Sequence, residues 1–122
     1  MKTGKLLFLV LILTILFIGC KKEEVDNYDY SVSVDETFTI EIEANHTTGY
    51  IWFWVNKANV SIVDTLSLVY ITDSVGTGVG GTEFWEFKGL STGIDSLKFE
   101  YKRAWNPEGE AADTKAFSVE VK

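Results

Sequence analysis

The chain has 122 residues, 46% of them hydrophobic and 14% aromatic, with a formal charge of −7 and a single cysteine. That length suits one domain, and a lone cysteine excludes an intrachain disulfide. The acidic balance disfavours nucleic acid and anionic lipid head groups as partners.

Lys2 and Lys5 make a basic head in front of an almost wholly apolar run from Leu6 to Ile18. The run is too short to span a bilayer, which takes about 20 residues, and has the make-up of a secretory signal. Gly19-Cys20 at its end resembles the lipobox of bacterial lipoproteins, with Phe17 standing where leucine is usual. The alternative is a plain secretory signal or an uncleaved anchor with an incidental cysteine. The lipobox resemblance implies that residues 1–19 are a signal peptide and that Cys20 becomes a lipidated N-terminus. Stable anchoring takes more than one acyl chain, which a diacyl or triacyl cysteine supplies. The domain would then sit in the cell envelope, held to a membrane and facing outside the cytoplasm. Loss of Lys2 and Lys5 takes the formal charge from −7 to −9. Residues 20–35 are polar, charged and poor in large aliphatics, and read as a lipid-bearing tether.

A period of two begins after Glu36. Phe38, Ile40 and Ile42 alternate with Thr39, Glu41 and Glu43, as in a half-buried strand. A second strand puts Tyr50, Trp52 and Trp54 on one face and Ile51, Phe53 and Val55 on the other. Short runs follow at residues 60–63 and 66–71, then an aromatic-rich run at 83–88. Leu97, Phe99 and Tyr101 alternate with Lys98, Glu100 and Lys102, and the chain closes on Phe117, Val119 and Val121. Turn residues fall between these runs, and no stretch after residue 35 sustains a helical period. Many short strands at this spacing predict an all-β antiparallel sandwich of roughly seven to eight strands over residues 36–122.

Catalysis is not indicated. The chain has one histidine, His46, and its one thiol lies in the tail, so neither a Cys-His nor a Ser-His-Asp arrangement can be argued. No zinc or calcium spacing is present. The glycines at 76, 78, 80 and 81 have no helix after them, as a dinucleotide loop would require. No cofactor is expected.

Three connecting segments carry more information. Asn45-His46-Thr47-Thr48-Gly49-Tyr50 reads either as an ordinary strand-to-strand turn or as a narrow protruding loop able to enter a cleft. The segment around Gly78, Gly80 and Gly81 reads either as a mobile hairpin connection or as backbone that approaches a partner closely. Arg103-Ala104-Trp105 joins the two residue types most enriched in interface hot spots. Its alternative is a tryptophan folded back over the end of the sandwich.

Taken together, in this order, the three segments resemble the loops of the chagasin family of cysteine-protease inhibitors. The resemblance extends over residues 36–122 and includes Trp52, the Gly80-Gly81-Thr82-Glu83 run and Tyr101. His46 and Ala104 stand where the family has proline, which removes a φ restraint from each loop. The resemblance implies an immunoglobulin-like sandwich and reversible, tight inhibition of papain-like cysteine proteases. Thr47 and Thr48 would approach the catalytic centre, Gly78, Gly80 and Gly81 would run along one side, and Arg103 and Trp105 would pack on the other. A monomer is expected. The alternative is a lipid-anchored immunoglobulin-like module for adhesion or carbohydrate binding.

Overall fold

Alternation becomes pairing wherever one face of a strand is apolar enough to be covered. A computed structural model describes residues 27–122, and seven strands account for most of them. They are β1 (Tyr30–Val32), β2 (Thr37–Ala44), β3 (Tyr50–Trp54), β4 (Val63–Thr72), β5 (Gly81–Gly89), β6 (Gly93–Arg103) and β7 (Asp113–Val121). Two sheets result, of four strands in the order β1-β7-β6-β3 and of three in the order β2-β5-β4. The expectations for residues 1–19 and for Cys20 lie outside the described residues.

Period two decides which side chains meet between the sheets. From the smaller sheet come Phe38, Ile40, Ile42 and Ala44 of β2, with Trp85 and Phe87 of β5. From the larger come Trp52, Leu97, Phe99, Val119 and Val121. The Phe38 and Phe87 rings stack at 5.5 Å, and Trp85 meets Phe99 edge-on at 5.0 Å. Such pairs add to the area they bury. The expected inward positions of β2, β6 and β7 are those observed.

Two local readings are corrected. The runs at 60–63 and 66–71 are not separate strands. Val60 and Ile62 are buried in a connection, and Val63 opens a single ten-residue strand whose register shifts between Thr65 and Ser67. A bulge of this kind absorbs an extra residue without ending the strand, so the pattern breaks although the pairing continues.

The other correction concerns residues 30–32, read as tether. They form β1, which pairs parallel to β7 where every other pairing among the described residues is antiparallel, with Tyr30 opposite Val119 and Val32 opposite Val121. Three residues are too few to show a period. What holds them is distant in sequence: the Asp29 N–H donates to Ser118 Oγ (2.9 Å), Ser118 N–H to Asp29 Oδ2 (2.8 Å) and Lys122 N–H to the Val32 carbonyl (2.8 Å). The Tyr30 ring packs 5.1 Å from Phe38. A fragment starting at residue 36 should therefore be less stable than one starting at residue 27. The expected loss is about 3 kcal/mol, the scale of uncovering a valine and part of a tyrosine. Urea melts of the two fragments measure it, and equal midpoints would return residues 30–32 to the tether.

Candidate functional site

The connections β2–β3, β4–β5 and β6–β7 emerge at one end of the sandwich, and hydrogen bonds tie them together. Asn45 Nδ2 donates to the Gly78 carbonyl (3.3 Å), joining the first loop to the second. The Ala104 N–H donates to the Gly49 carbonyl (2.9 Å), joining the third to the first. Arg103 Nε donates to the Tyr50 hydroxyl (3.2 Å). The three segments singled out in the sequence thus form one surface.

The first loop is a short 3-10 turn, His46–Thr48, between Asn45 and Gly49. Asn45 caps it, accepting the Thr47 N–H (3.1 Å) and the Thr47 hydroxyl (2.5 Å) on Oδ1. The Thr48 hydroxyl donates to the Asn45 carbonyl (2.6 Å). Asparagine suits this position because its side chain replaces the missing intrahelical acceptor. Gly49 ends the turn at φ 85°, in the left-handed region that favours glycine. A Cβ there would also lie 2.5 Å from Cζ3 and Cη2 of Trp105, so glycine permits the indole to sit against the turn. Thr47 and Thr48 are exposed at the tip.

The base of the turn is held from beneath. The Asn45 N–H donates to the Tyr101 hydroxyl (2.8 Å), and the Tyr70 hydroxyl donates to the Ala44 carbonyl (3.3 Å). His46 stacks on the Tyr70 ring at 3.6 Å and 12°, with Nε2 2.8 Å from Glu83 Oε2. Tyr70, Glu83 and Tyr101 were not singled out as site residues. Glu83 had a signal: by alternation it shares a face with Trp85 and Phe87, and a carboxylate on a core face needs partners. Tyr70 carried the one polar ring in an aliphatic run, a weaker cue.

The second loop, residues 73–80, is closed at its base by the Asp73 N–H to the Gly80 carbonyl (3.0 Å). Gly78 is exposed and Gly80 half-buried. Gly81 differs from both. It is buried as the first residue of β5, and a Cβ would come 2.3 Å from the Ile71 carbonyl oxygen. Its glycine serves strand packing, so it stands behind the exposed surface.

The third loop carries Arg103, Ala104 and Trp105, all exposed. It turns twice, through Asn106 N–H to Arg103 O and Gly109 N–H to Asn106 O, each 3.0 Å. The Arg103 guanidinium lies 5.7 Å from the Tyr50 ring and 5.9 Å from the Trp105 ring. Trp105 does not fold back over the core: it is 68% exposed. Among the described residues no cluster of three or more His, Cys, Asp or Glu side chains is arranged to hold a metal ion.

The profile described as "Chagasin family peptidase inhibitor I42" matches residues 31–121. The chain belongs to the chagasin family. Its match to chagasin of Trypanosoma cruzi is 28% identical over 96 residues, covering 75% of this chain and 86% of that one. The family profile starts inside β1, in keeping with a domain that begins before residue 36. Solved structures share the fold. A cysteine protease inhibitor from Entamoeba histolytica superposes with a TM-score of 0.59 at 19% identity, over 77% of this chain and 88% of that one. Amebosin superposes with a TM-score of 0.54 at 23% identity, over 75% and 84%. The chagasin-family sandwich is therefore common to chains that share few residues.

Proposed function

We infer that this member of the chagasin family inhibits papain-like cysteine proteases by seating its three-loop end in the active-site cleft. The observation that carries the reading is the direct bonding of the loops to one another, Asn45 to Gly78 and Ala104 to Gly49. A surface already tied into one shape loses less entropy on binding. Thr47 and Thr48, at the narrow tip, approach the catalytic centre. Asn45, His46 and Gly49 shape that tip. Gly78 and Gly80 lie along one wall, backed by Gly81. Tyr50, Arg103, Ala104 and Trp105 meet the other, with the indole against apolar protease surface. The tip resists cleavage because residues 46–48 form a closed turn and not the extended segment a protease threads past its nucleophile.

Titrating residues 21–122 into papain and into trypsin tests this. Stoichiometric loss of papain activity with trypsin unaffected is the expected result. Comparable inhibition of both enzymes would overturn it. No loss of papain activity at micromolar protein would favour the adhesion or carbohydrate-binding alternative.

Membrane attachment belongs to the same proposal. A lipid on Cys20 would hold the domain at an envelope membrane as a monomer, with the segment before Tyr30 as spacer. Supporting this are the basic head, the short apolar run and Gly19-Cys20. The processed wild type should partition into detergent and Cys20→Ser into water. Equal partitioning would exclude the lipid.

A further inference from the structure

Among the described residues, the hydrogen bonds that join residues 46–48 to the protein beyond residues 45–50 both come from His46. Its N–H donates to the Tyr70 hydroxyl (3.4 Å), and Nε2 meets Glu83 Oε2 (2.8 Å). The hydroxyls of Thr47 and Thr48 turn back onto Asn45, and Thr48 Oγ1 accepts only the N–H of Tyr50, the adjoining first residue of β3 (3.4 Å), among the described residues. The internal bonds of the turn set its local shape and the bonds of Asn45 to Tyr101 and Gly49 to Ala104 hold its two ends, whereas the imidazole ties the middle of the turn to the smaller sheet.

The partner is a fixed point. Glu83 is 1% exposed and sits in β5 between the sheets. Its Oε2 also accepts the Trp52 N–H (3.1 Å), and its Oε1 accepts the Trp85 Nε1–H (3.0 Å). Both oxygens already act as acceptors, and a carboxylate offers acceptors only, so the arrangement suits a His46 ring with Nε2 as the donor. A hydrogen bond to a carboxylate is among the stronger ones available to an imidazole. The Tyr70 ring, parallel to the imidazole at 3.6 Å, removes the remaining freedom of its plane.

The core does not need the imidazole as much as the loop does. Without it Glu83 keeps two N–H donors, and the His46 side chain, 31% exposed, lies where water can follow. Removing it therefore loosens the turn more than it weakens the sandwich.

We propose that His46 is a positioning residue, which locks the 45–49 turn to the buried Glu83 carboxylate and so sets the shape of the tip offered to a protease. The second half of this rests on the inhibitor reading; the lock itself does not. Two variants and two measurements separate them. His46→Ala removes the donor. His46→Gln restores an N–H at nearly the same reach without the ring.

Amide hydrogen exchange on the full mature chain reads the lock in the absence of any protease. In His46→Ala the Thr48 and Gly49 amides, which bond to Asn45 and His46 carbonyls, should exchange about tenfold faster, the lower range for losing a bond to a charged group. Amides within β5 and β6 should keep their wild-type rates. Inhibition of papain should weaken about tenfold in parallel, and His46→Gln should recover most of both. Wild-type exchange at Thr48 and Gly49 in His46→Ala overturns the lock, whatever papain shows. Faster exchange with unchanged inhibition overturns the claim that the lock shapes the binding tip. If wild type itself does not inhibit papain, the inhibitor reading fails, and the exchange rates alone decide the lock.

Discussion

Trp52→Ala is expected to destabilise the protein by about 3–5 kcal/mol, the range for emptying a buried tryptophan site. Trp52 is 3% exposed, in the middle of β3, with its ring 4.9 Å from that of Tyr101. Its Nε1–H donates to the Glu43 carbonyl (2.9 Å), so alanine also removes a hydrogen bond between the two sheets. The Trp52 backbone N–H, which bonds Glu83, stays in place. Part of the damage would reach the site, because Tyr101 supplies the hydroxyl that holds Asn45. Urea unfolding of wild type and variant measures the loss. A change below about 1 kcal/mol would mean that the cavity refills and that Trp52 is not the packing centre of β3.

Trp105→Ala should do the opposite. The indole is 68% exposed and rests on Gly49, so its removal uncovers little apolar surface, and the melting midpoint should move little. Affinity for papain should fall. Truncating an interface tryptophan typically costs about 2 kcal/mol or more, which is roughly thirtyfold in dissociation constant. Arg103 strengthens that expectation. Its guanidinium lies between the Tyr50 and Trp105 rings, which limits the rotamers of all three before binding. The check is an inhibition constant and a thermal melt on the same preparation. A large drop in melting temperature with affinity retained would place Trp105 in the fold and outside the interface.

Much of this protein could be read in its sequence because the physics involved is local. Period two follows from the geometry of a single strand, so Phe38, Ile40 and Ile42, or Leu97 and Phe99, declare their inward face without knowledge of the partner. Gly49 and Asn45 declare a turn for the same reason: the left-handed φ and the side-chain cap are properties of a few adjacent residues. The three loop segments were likewise visible as composition, and their order along the chain pointed to the chagasin family.

What the sequence left open depends on contacts between residues far apart in the chain. The segment Arg103-Ala104-Trp105 does not by itself say whether the indole folds back over the sandwich end, and only the tertiary structure shows it standing 68% exposed. Gly81 resembled Gly78 and Gly80 until its pairing with Thr72 and Ala44 put it inside the strand layer. β1 is too short to show a pattern and exists through β7, 89 residues away in sequence. The link from His46 to Glu83 crosses 37 residues and runs from an exposed turn to a buried carboxylate. Alternation marks Glu83 as inward, but only packing of the two sheets determines which donors come within reach of its oxygens.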